Sequence, residues 1–319
     1  MREGARALLN LDRLRRGGIL LPFVILFVLL SLKSDAFATK VNLLNILDQQ
    51  SAILIIAAAG TLVLVTGGID LSVGATYSLA GVVAAHYALE THAVVAMLLG
   101  VGAGVLVGVV NGFIATVLRI NALIATLAMA FIAGGCASLI TKGTLIVLFE
   151  KPDFGKLAQT EYLTVRTSTW IMVVAVVLIG LLLARTTAGR YMYAAGGNAE
   201  AARLAGVRVD AVRIFAFVLS GTAAGLAGVI DTSRVMSAQA GTADTTLAFT
   251  VLAGIVVGGT SILGGDGAVW RTVVGVLFIA LIGNGYVLLG LDPLYEQITM
   301  GAILLAAVGL DVWTRQRRA

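Results

Sequence analysis

The chain has 319 residues, of which 59% are hydrophobic and 12% are charged, and its formal net charge is +5. Soluble domains carry about 25% charged residues, so this composition excludes a water-soluble globule and indicates one polytopic membrane domain over residues 1–319. The positive residues lie in tails and short loops between apolar stretches, as membrane orientation requires, which argues against nucleic acid as a partner.

Apolar stretches recur along nearly the whole chain. A helix needs roughly 20 apolar residues to cross the hydrocarbon of a bilayer, and we predict an all-α bundle of about ten membrane-spanning helices. The predicted spans cover residues 18–33, 48–67, 73–90, 93–117, 121–141, 168–185, 211–231, 245–260, 271–290 and 295–313. The second and third of these could also be one broken helix. The single cysteine, Cys136, excludes an intramolecular disulfide and is expected to be a buried core residue.

The start of the chain allows two interpretations. Arg13, Arg15 and Arg16 precede the first apolar stretch, and the sequence Ala36-Phe37-Ala38 after it resembles a signal-peptidase site. A cleaved signal peptide is therefore one alternative. The long charged lead-in and the many later spans favour a cytoplasmic tail over residues 1–17.

The distribution of Lys and Arg predicts the orientation. Positive clusters lie before the first span, around residues 185–213 and after the last span, and ten spans place all three on one side. Because cytoplasmic loops carry the excess of positive residues, we expect cytoplasmic N- and C-termini and a cytoplasmic loop over residues 186–210, in a bacterial inner membrane. The segment 142–167 mixes lysines with acidic residues and is expected to be a periplasmic loop.

The fourth predicted span carries glycine at every fourth position. Gly100, Gly104, Gly108 and Gly112 therefore line one face of a helix. In lipid, such a face allows the backbones of two helices to approach closely. We expect either a static packing seam or a mobile helix beside a transport path.

Two glycine-rich motifs interrupt the apolar pattern. In Gly-Gly-Ile-Asp-Leu-Ser-Val-Gly (67–74), the glycines permit a tight turn, and Asp70 and Ser72 can either cap the next helix or lie on a substrate path. Residues 258–267 repeat this chemistry at a second helix break. The phosphate-binding pattern Gly-x-x-x-x-Gly-Lys-Ser/Thr does not occur in the sequence. We therefore expect no ATP hydrolysis by this polypeptide.

The most informative polar segment covers residues 189–206. Asn198 is a good N-cap, Glu200 complements the helix dipole, and Gly206 is a C-terminal stop, so the sequence predicts a short helix between them. A helix of this length is not stable alone. Either the inner face of the membrane domain or a cytoplasmic partner must hold it.

Seven short motifs follow one another in order along the chain. They are Gly-Gly-Ile-Asp-Leu-Ser-Val-Gly (67–74), Asn111-Gly112, Ile-Ala-Thr-Leu (124–127), Gly-Arg-Tyr with Ala-Gly-Gly-Asn (189–198), Ala-Ala-Arg-Leu-Ala-Gly-Val (201–207), Ser220-Gly221 and Gly-Gly-Thr-Ser-Ile-Leu-Gly-Gly (258–265). Together they resemble the permeases of bacterial ribose, xylose, arabinose and galactose ATP-binding-cassette importers. The chain departs from that pattern at Asn121 and Ala122, where members usually have proline, and at Ala248 and Thr250, where they usually have acidic residues.

The resemblance implies a translocation subunit rather than an enzyme. Such a permease pairs with a second permease, identical or paralogous, contacts membrane lipids, and receives sugar from a periplasmic sugar-binding protein. It binds no cofactor itself, because two partner ATP-binding subunits use the ATP. The ATPase-coupling segment of the family matches residues 189–207, which gives the coupling residues Gly189, Arg190, Gly196, Gly197, Asn198, Glu200, Arg203 and Gly206.

Further polar residues are candidates for the translocation path or gate. Asn111 and Asn284 each precede a glycine, near opposite ends of predicted spans four and nine, as inverted repeats would place them. Arg234 follows Asp231 by one turn, which permits either a local ion pair or, with Gln239, an outer mouth that meets sugars. The candidate set is Asp70, Ser72, Asn111, Arg234, Gln239 and Asn284.

We therefore expect the chain to move a monosaccharide from periplasm to cytoplasm by alternating access, with no catalytic residue and no metal site. The first alternative is the related permease type for branched-chain amino acids or nucleosides. The second is an ion-coupled secondary transporter, which requires an acid at mid-membrane, whereas Asp70 is expected at a helix end. A membrane enzyme is disfavoured, because the sequence shows no His/carboxylate cluster or Ser/His pair.

Overall fold

The computed structural model describes residues 18–241, 244–292 and 294–316. The tail predicted for residues 1–17 lies outside this part. The described residues form fourteen helices: α1 Leu20–Lys33, α2 Lys40–Gln49, α3 Ser51–Val65, α4 Val73–Glu90, α5 Ala93–Thr116, α6 Ala122–Thr141, α7 Pro152–Gln159, α8 Thr167–Arg185, α9 Thr187–Gly197, α10 Ala199–Leu204, α11 Val209–Val235, α12 Asp244–Val257, α13 Val269–Leu288 and α14 Leu294–Gln316.

The fold is an all-α helical bundle of a polytopic membrane protein. Five helices are long and apolar enough to cross a membrane, namely α5, α6, α8, α11 and α13. Helices α2 and α3 meet at a bend of 51° and add a sixth candidate span if they are counted as one. The break predicted near residues 67–74 is also present, because the non-helical residues 66–72 separate α3 from α4.

Helix α3 lies at the centre of the bundle. Every residue of α3 except Ile53 is buried, as expected for a helix that is apolar on all sides. Its Thr61 shares a hydrogen bond of 2.7 Å with Thr272 of α13, so a polar contact also joins the central helix to its neighbour. Helix α2, by contrast, carries exposed polar residues such as Asn45 and Gln49.

The predicted glycine face of α5 is a packing seam against α11. A Cβ on Gly104 would lie 2.7 Å from Gly225 Cα, and one on Gly108 would lie 2.5 Å from Phe217 O. These distances leave no room for a side chain, so the two backbones are in direct contact. The prediction of close backbone packing is confirmed, and the contact is the most extensive between two helices of the described residues.

The structure differs from the sequence prediction at Cys136 and adds detail within residues 142–167. Cys136 is exposed on α6 rather than buried. An apolar membrane helix can turn such a residue outward toward lipid. The prediction of a buried Cys136, which rested on the apolar composition of the stretch, was therefore wrong.

The segment predicted as a loop over residues 142–167 contains α7 and the short strands β1 (Ile146–Val147), β2 (Glu161–Tyr162) and β3 (Val165–Arg166). Strand β1 pairs antiparallel with β4 (Ser237–Ala238), and β2 pairs antiparallel with β3.

The seam predicts a contrast between two glycines of α5. Gly104→Ala should destabilise the protein by about 1–3 kcal/mol, because overpacking a tight contact forces the backbones apart. Gly102→Ala is the matched control, since a Cβ there meets nothing within 4 Å. Thermal unfolding of the detergent-solubilised protein measures both variants. Equal unfolding temperatures for the two variants would contradict the seam.

Candidate functional site

The segment 187–204 forms two short helices, α9 and α10, joined at Asn198, and we use the name coupling hairpin for this pair. Asn198 Oδ1 accepts hydrogen bonds from Glu200 N at 3.1 Å and Ala201 N at 3.0 Å, which confirms the predicted N-cap. Gly206 has φ +85° and ends α10, with its N–H donated to Arg203 O at 2.9 Å. The sequence therefore encodes both ends of the short helix locally.

The chain itself holds the coupling hairpin. Ala195 and Ala202 are buried with Val209 of α11 in a small apolar cluster. Arg203 Nη2 donates to Asp210 Oδ1 at 2.9 Å, an ion pair that sequence analysis missed. The two supports considered for α10 were the membrane domain and a cytoplasmic partner, and these contacts come from the membrane domain.

The outer face of the coupling hairpin is exposed. Leu204 is 87% exposed, an unusual position for a leucine at the end of a polar helix. The other predicted coupling residues divide between two faces: Gly189 is buried and Gly196 is partly buried against the bundle, whereas the exposed ones are Arg190, Gly197, Asn198, Glu200, Arg203 and Gly206.

Three main-chain segments meet beneath the hairpin at what we call the glycine junction, formed by Gly67, Gly196, Gly264 and Gly265. A Cβ on Gly196 would overlap Val65 O at the end of α3, and one on Gly264 would lie 2.9 Å from Gly67 Cα. Gly265 N donates to Val65 O at 2.9 Å. Tyr193 OH also donates to Gly267 O at 2.7 Å. The coupling hairpin is thereby joined to the end of α3 and to the loop between α12 and α13.

Asp70 lies in the break between α3 and α4 and is enclosed by hydroxyl groups. Ser72 donates to Asp70 Oδ1 from its backbone N at 3.0 Å and from its Oγ at 2.6 Å, and Ser220 Oγ donates to Oδ2 at 2.8 Å. Asn111 Nδ2 donates to Ser72 Oγ at 2.7 Å. Three predicted path residues, Asp70, Ser72 and Asn111, are thus brought together.

The predicted capping role of Ser72 is wrong. Its side chain makes no cap hydrogen bond to α4, because it donates to Asp70 instead. The one backbone N–H of the described residues that donates to Asp70 is that of Ser72, the residue before α4. The cluster therefore ties the helix break to α5 and α11, and it lines neither of the two cavities described below.

Arg234 is engaged in the predicted local ion pair. Its Nε and Nη2 donate to Asp231 Oδ1 at 3.0 and 2.5 Å, and Tyr77 OH donates to Asp231 Oδ2 at 2.5 Å. Gln239 is exposed and nearby in the chain, and its backbone O accepts from Ser78 Oγ at 3.3 Å. The geometry supports a local ion pair rather than an outer mouth that meets sugars, because the Arg234 guanidinium already donates to Asp231.

Asn284 belongs to a different region, the wall of a cavity of about 990 Å³. It exchanges two hydrogen bonds with Asn42 of α2, at 3.0 and 2.9 Å. We call this region the amide cavity. Its polar lining consists of Asn42, Asn45, Gln49, Gln50, Thr246, Thr250, Asn284, Glu296 and Gln297.

The amide cavity contains one charged group among its described lining residues, Glu296. This side chain lies over the backbone of α13, since a Cβ on Gly283 would be 2.7 Å from Glu296 Oε1. Phe249 and Met300 add apolar surface. The arrangement offers neutral donors and acceptors plus one carboxylate, which is suited to a neutral ligand rich in hydroxyl groups.

The six predicted path residues therefore fall into three separate groups, and only Asn284 lines the amide cavity. Sequence analysis missed the polar residues of α2. Their spacing carried a signal, because Asn42, Asn45 and Gln49 recur at intervals of three and four residues and so share one helix face.

Comparison with known proteins places the chain in a family. A family model described as "Branched-chain amino acid transport system / permease component" matches residues 42–308. The ribose import permease of Escherichia coli K12 is 38% identical over 296 residues, covering 92% of each chain. The L-arabinose ABC transporter permease of Azospirillum brasilense is 37% identical over 311 residues, covering 96% of this chain and 90% of the other. The ribose import permease of Bacillus subtilis is 36% identical over 296 residues, covering 92% of each.

These matches confirm the resemblance seen in the motifs, and they extend over nearly the whole chain. Members are transport components rather than enzymes, and a permease of this kind works with ATP-binding subunits and a periplasmic binding protein. The chain belongs to the family of inner-membrane permease components of ATP-binding-cassette importers.

Proposed function

We propose that this chain moves a neutral monosaccharide from periplasm to cytoplasm, with the amide cavity as the outer part of the path. The observation that carries the proposal is the chemistry of the lining: six amide side chains, two threonines and one carboxylate. Relatives that match most of the chain are named as ribose and L-arabinose permeases.

The lining favours a sugar over an amino acid. The carboxylate of a free amino acid requires a cationic or strongly donating partner once it leaves water. The described lining residues include no Lys, Arg or His, and Glu296 would repel that carboxylate. Sugar hydroxyls both donate and accept, so amides and a carboxylate can satisfy them. A nucleoside is less well matched, since Phe249 is the one aromatic ring among the described lining residues.

The position of the cavity supports an outward-facing mouth. It lies along α2, where α13 ends and where α3, α12 and α14 begin, whereas the coupling hairpin lies at the other end of α3. In a bundle of about ten spans with cytoplasmic termini, the positively charged hairpin faces the cytoplasm. The amide cavity then opens toward the periplasm, where a binding protein releases its sugar.

The contacts suggest a route from ATP hydrolysis to the cavity. In this proposal ATP-binding subunits, two in the complex, bind the exposed face of α10, which includes Leu204 and Glu200. A second permease forms the rest of the path. The glycine junction touches the end of α3 and the loop 258–268 between α12 and α13. Helix α3 continues from α2, so the junction contacts the far ends of helices that line the cavity. Displacement of the hairpin would therefore move these helices together.

The amide cavity predicts a transport defect from a single α2 substitution. Asn45→Leu keeps the size of the side chain but removes a donor and an acceptor. We expect ATP-driven uptake of ribose or arabinose into proteoliposomes to fall about tenfold, the effect of losing about 1.4 kcal/mol of hydrogen bonding to the sugar. Val41→Leu is the control, because Val41 is 70% exposed one turn earlier and lies outside the cavity lining. Unchanged uptake by Asn45→Leu, or uptake of leucine rather than sugar by the wild type, would remove the proposal.

The glycine junction predicts that one added methyl group uncouples ATP hydrolysis from sugar transport. Gly196→Ala should sharply reduce sugar-stimulated ATP hydrolysis in the reconstituted complex, because its Cβ would overlap Val65 O and push the hairpin away from α3. Gly102→Ala is the control, since a Cβ on this glycine of α5 meets nothing within 4 Å and Gly102 is not one of the predicted coupling residues. Both proteins should still insert and assemble, which co-purification with the ATP-binding subunits checks. Equal stimulation in the two variants would disprove transmission through the junction.

A further inference from the structure

A second cavity, of about 450 Å³, lies beside the coupling hairpin. It is bounded by the hairpin, the start of α11, the turn between α5 and α6, and the glycines that follow α3. Its charged lining residues are Arg119, Arg203, Asp210 and Arg213. We call it the arginine cavity. It shares Gly67 with the glycine junction and no lining residue with the amide cavity.

The charges of the arginine cavity do not balance. Arg203 is paired with Asp210 at 2.9 Å, so this carboxylate compensates one guanidinium. Arg213 donates from Nε to the neutral Thr66 O at 3.3 Å. The Arg119 side chain makes no hydrogen bond to any residue in the described part of the chain. Three arginines and one aspartate therefore give the described lining of this half-open cavity a net charge of +2.

The start of α6 adds to the positive potential. Asn121 and Ala122, its N-cap and first residue, line the same cavity. Asn121 Oδ1 accepts from Leu123 N at 2.9 Å, which leaves its amide NH₂ as a further donor. The positive end of a helix of 20 residues strengthens the preference for an anion.

We propose that the arginine cavity binds a phosphate monoester. Such a group carries about −1.5 to −2 charges at pH 7 and so matches the net charge of +2 on the described lining. Guanidinium forks suit phosphate oxygens because they donate two parallel hydrogen bonds. Both a soluble sugar phosphate and the head group of phosphatidic acid have this chemistry, and the cavity lies at the end of the bundle where the cytoplasmic surface is proposed.

The arginine cavity lies between two parts of the protein. Arg203 belongs to the coupling hairpin, whereas Arg119 and Arg213 belong to the membrane-spanning bundle. A carboxylate from an ATP-binding subunit is a competing occupant. It would supply one negative charge where two are needed, and it would have to reach Arg213, which is partly buried below the surface. The charge balance therefore favours the phosphate.

The test uses the permease assembled with its ATP-binding subunits in nanodiscs of pure phosphatidylcholine. Isothermal titration with ribose 5-phosphate should show binding, and ribose should show none at this site. Arg119→Gln and Arg213→Gln should each weaken binding about tenfold, the loss expected for one charge-assisted contact. Arg119 is exposed in a turn, so its substitution does not endanger the fold. Arg208→Gln, at an exposed residue outside the cavity lining, should bind as the wild type does.

A second set of nanodiscs, with phosphatidic acid, separates the two sources. Weaker binding of ribose 5-phosphate in these discs would identify the lipid head group as an occupant of the same site, whereas unchanged binding would identify the soluble ester. Two results would overturn the proposal. In the first, ribose 5-phosphate does not bind, and no phosphatidic acid is found that is bound to the wild-type protein and lost from Arg213→Gln. The other is binding to the permease alone that the ATP-binding subunits abolish, which would mean that their own carboxylate fills the cavity.

Discussion

Direct contact between backbones at glycines is the constraint on which the rest of this structure depends. In lipid, apolar surface provides no driving force between helices, so association relies on van der Waals contact at short range. The seam between α5 and α11 achieves this with Gly104 and Gly108, and the glycine junction achieves it with Gly196 at the end of α3. Close contact in both places fixes the positions of the helices around which the polar groups are arranged.

Polar groups inside the bundle serve two different purposes that their residue types alone do not reveal. Asp70 receives three hydrogen bonds from Ser72 and Ser220, so its carboxylate is satisfied within the fold. Asn45 and Gln49, by contrast, lie exposed in a cavity wall. A buried polar group must be paired, whereas one that binds a passing ligand has to keep donors and acceptors available. The distinction separates the closed cluster at the helix break from the proposed path.

Sequence analysis succeeded where a feature depends on neighbouring residues. The N-cap at Asn198, the stop at Gly206 and the glycine face of α5 follow from spacing and local conformational preference, and all three are present. It failed where long-range packing decides. The pairing of Asn42 with Asn284 joins residues 242 positions apart. The polar face of α2 was missed because residues 40–47 lie between the first two predicted apolar spans, where no helix was assigned. The outward direction of Cys136 likewise depends on neighbours that the sequence does not specify.

The absence of side chains at the glycine junction has a mechanical consequence. A contact between long side chains can absorb a displacement of an ångström by a change of rotamer, since exchange between rotamers is inexpensive at a surface. Gly196, Gly264 and Val65 O have no such freedom, because main-chain atoms touch main-chain atoms. A movement of the coupling hairpin must therefore either separate Gly196 from Val65 O or carry α3 with it. Helix α3 is buried on all sides and cannot bend independently of the close-packed bundle. Motion that enters at the hairpin would thus reach α2 and the amide cavity as a shift of whole helices rather than as a local rearrangement.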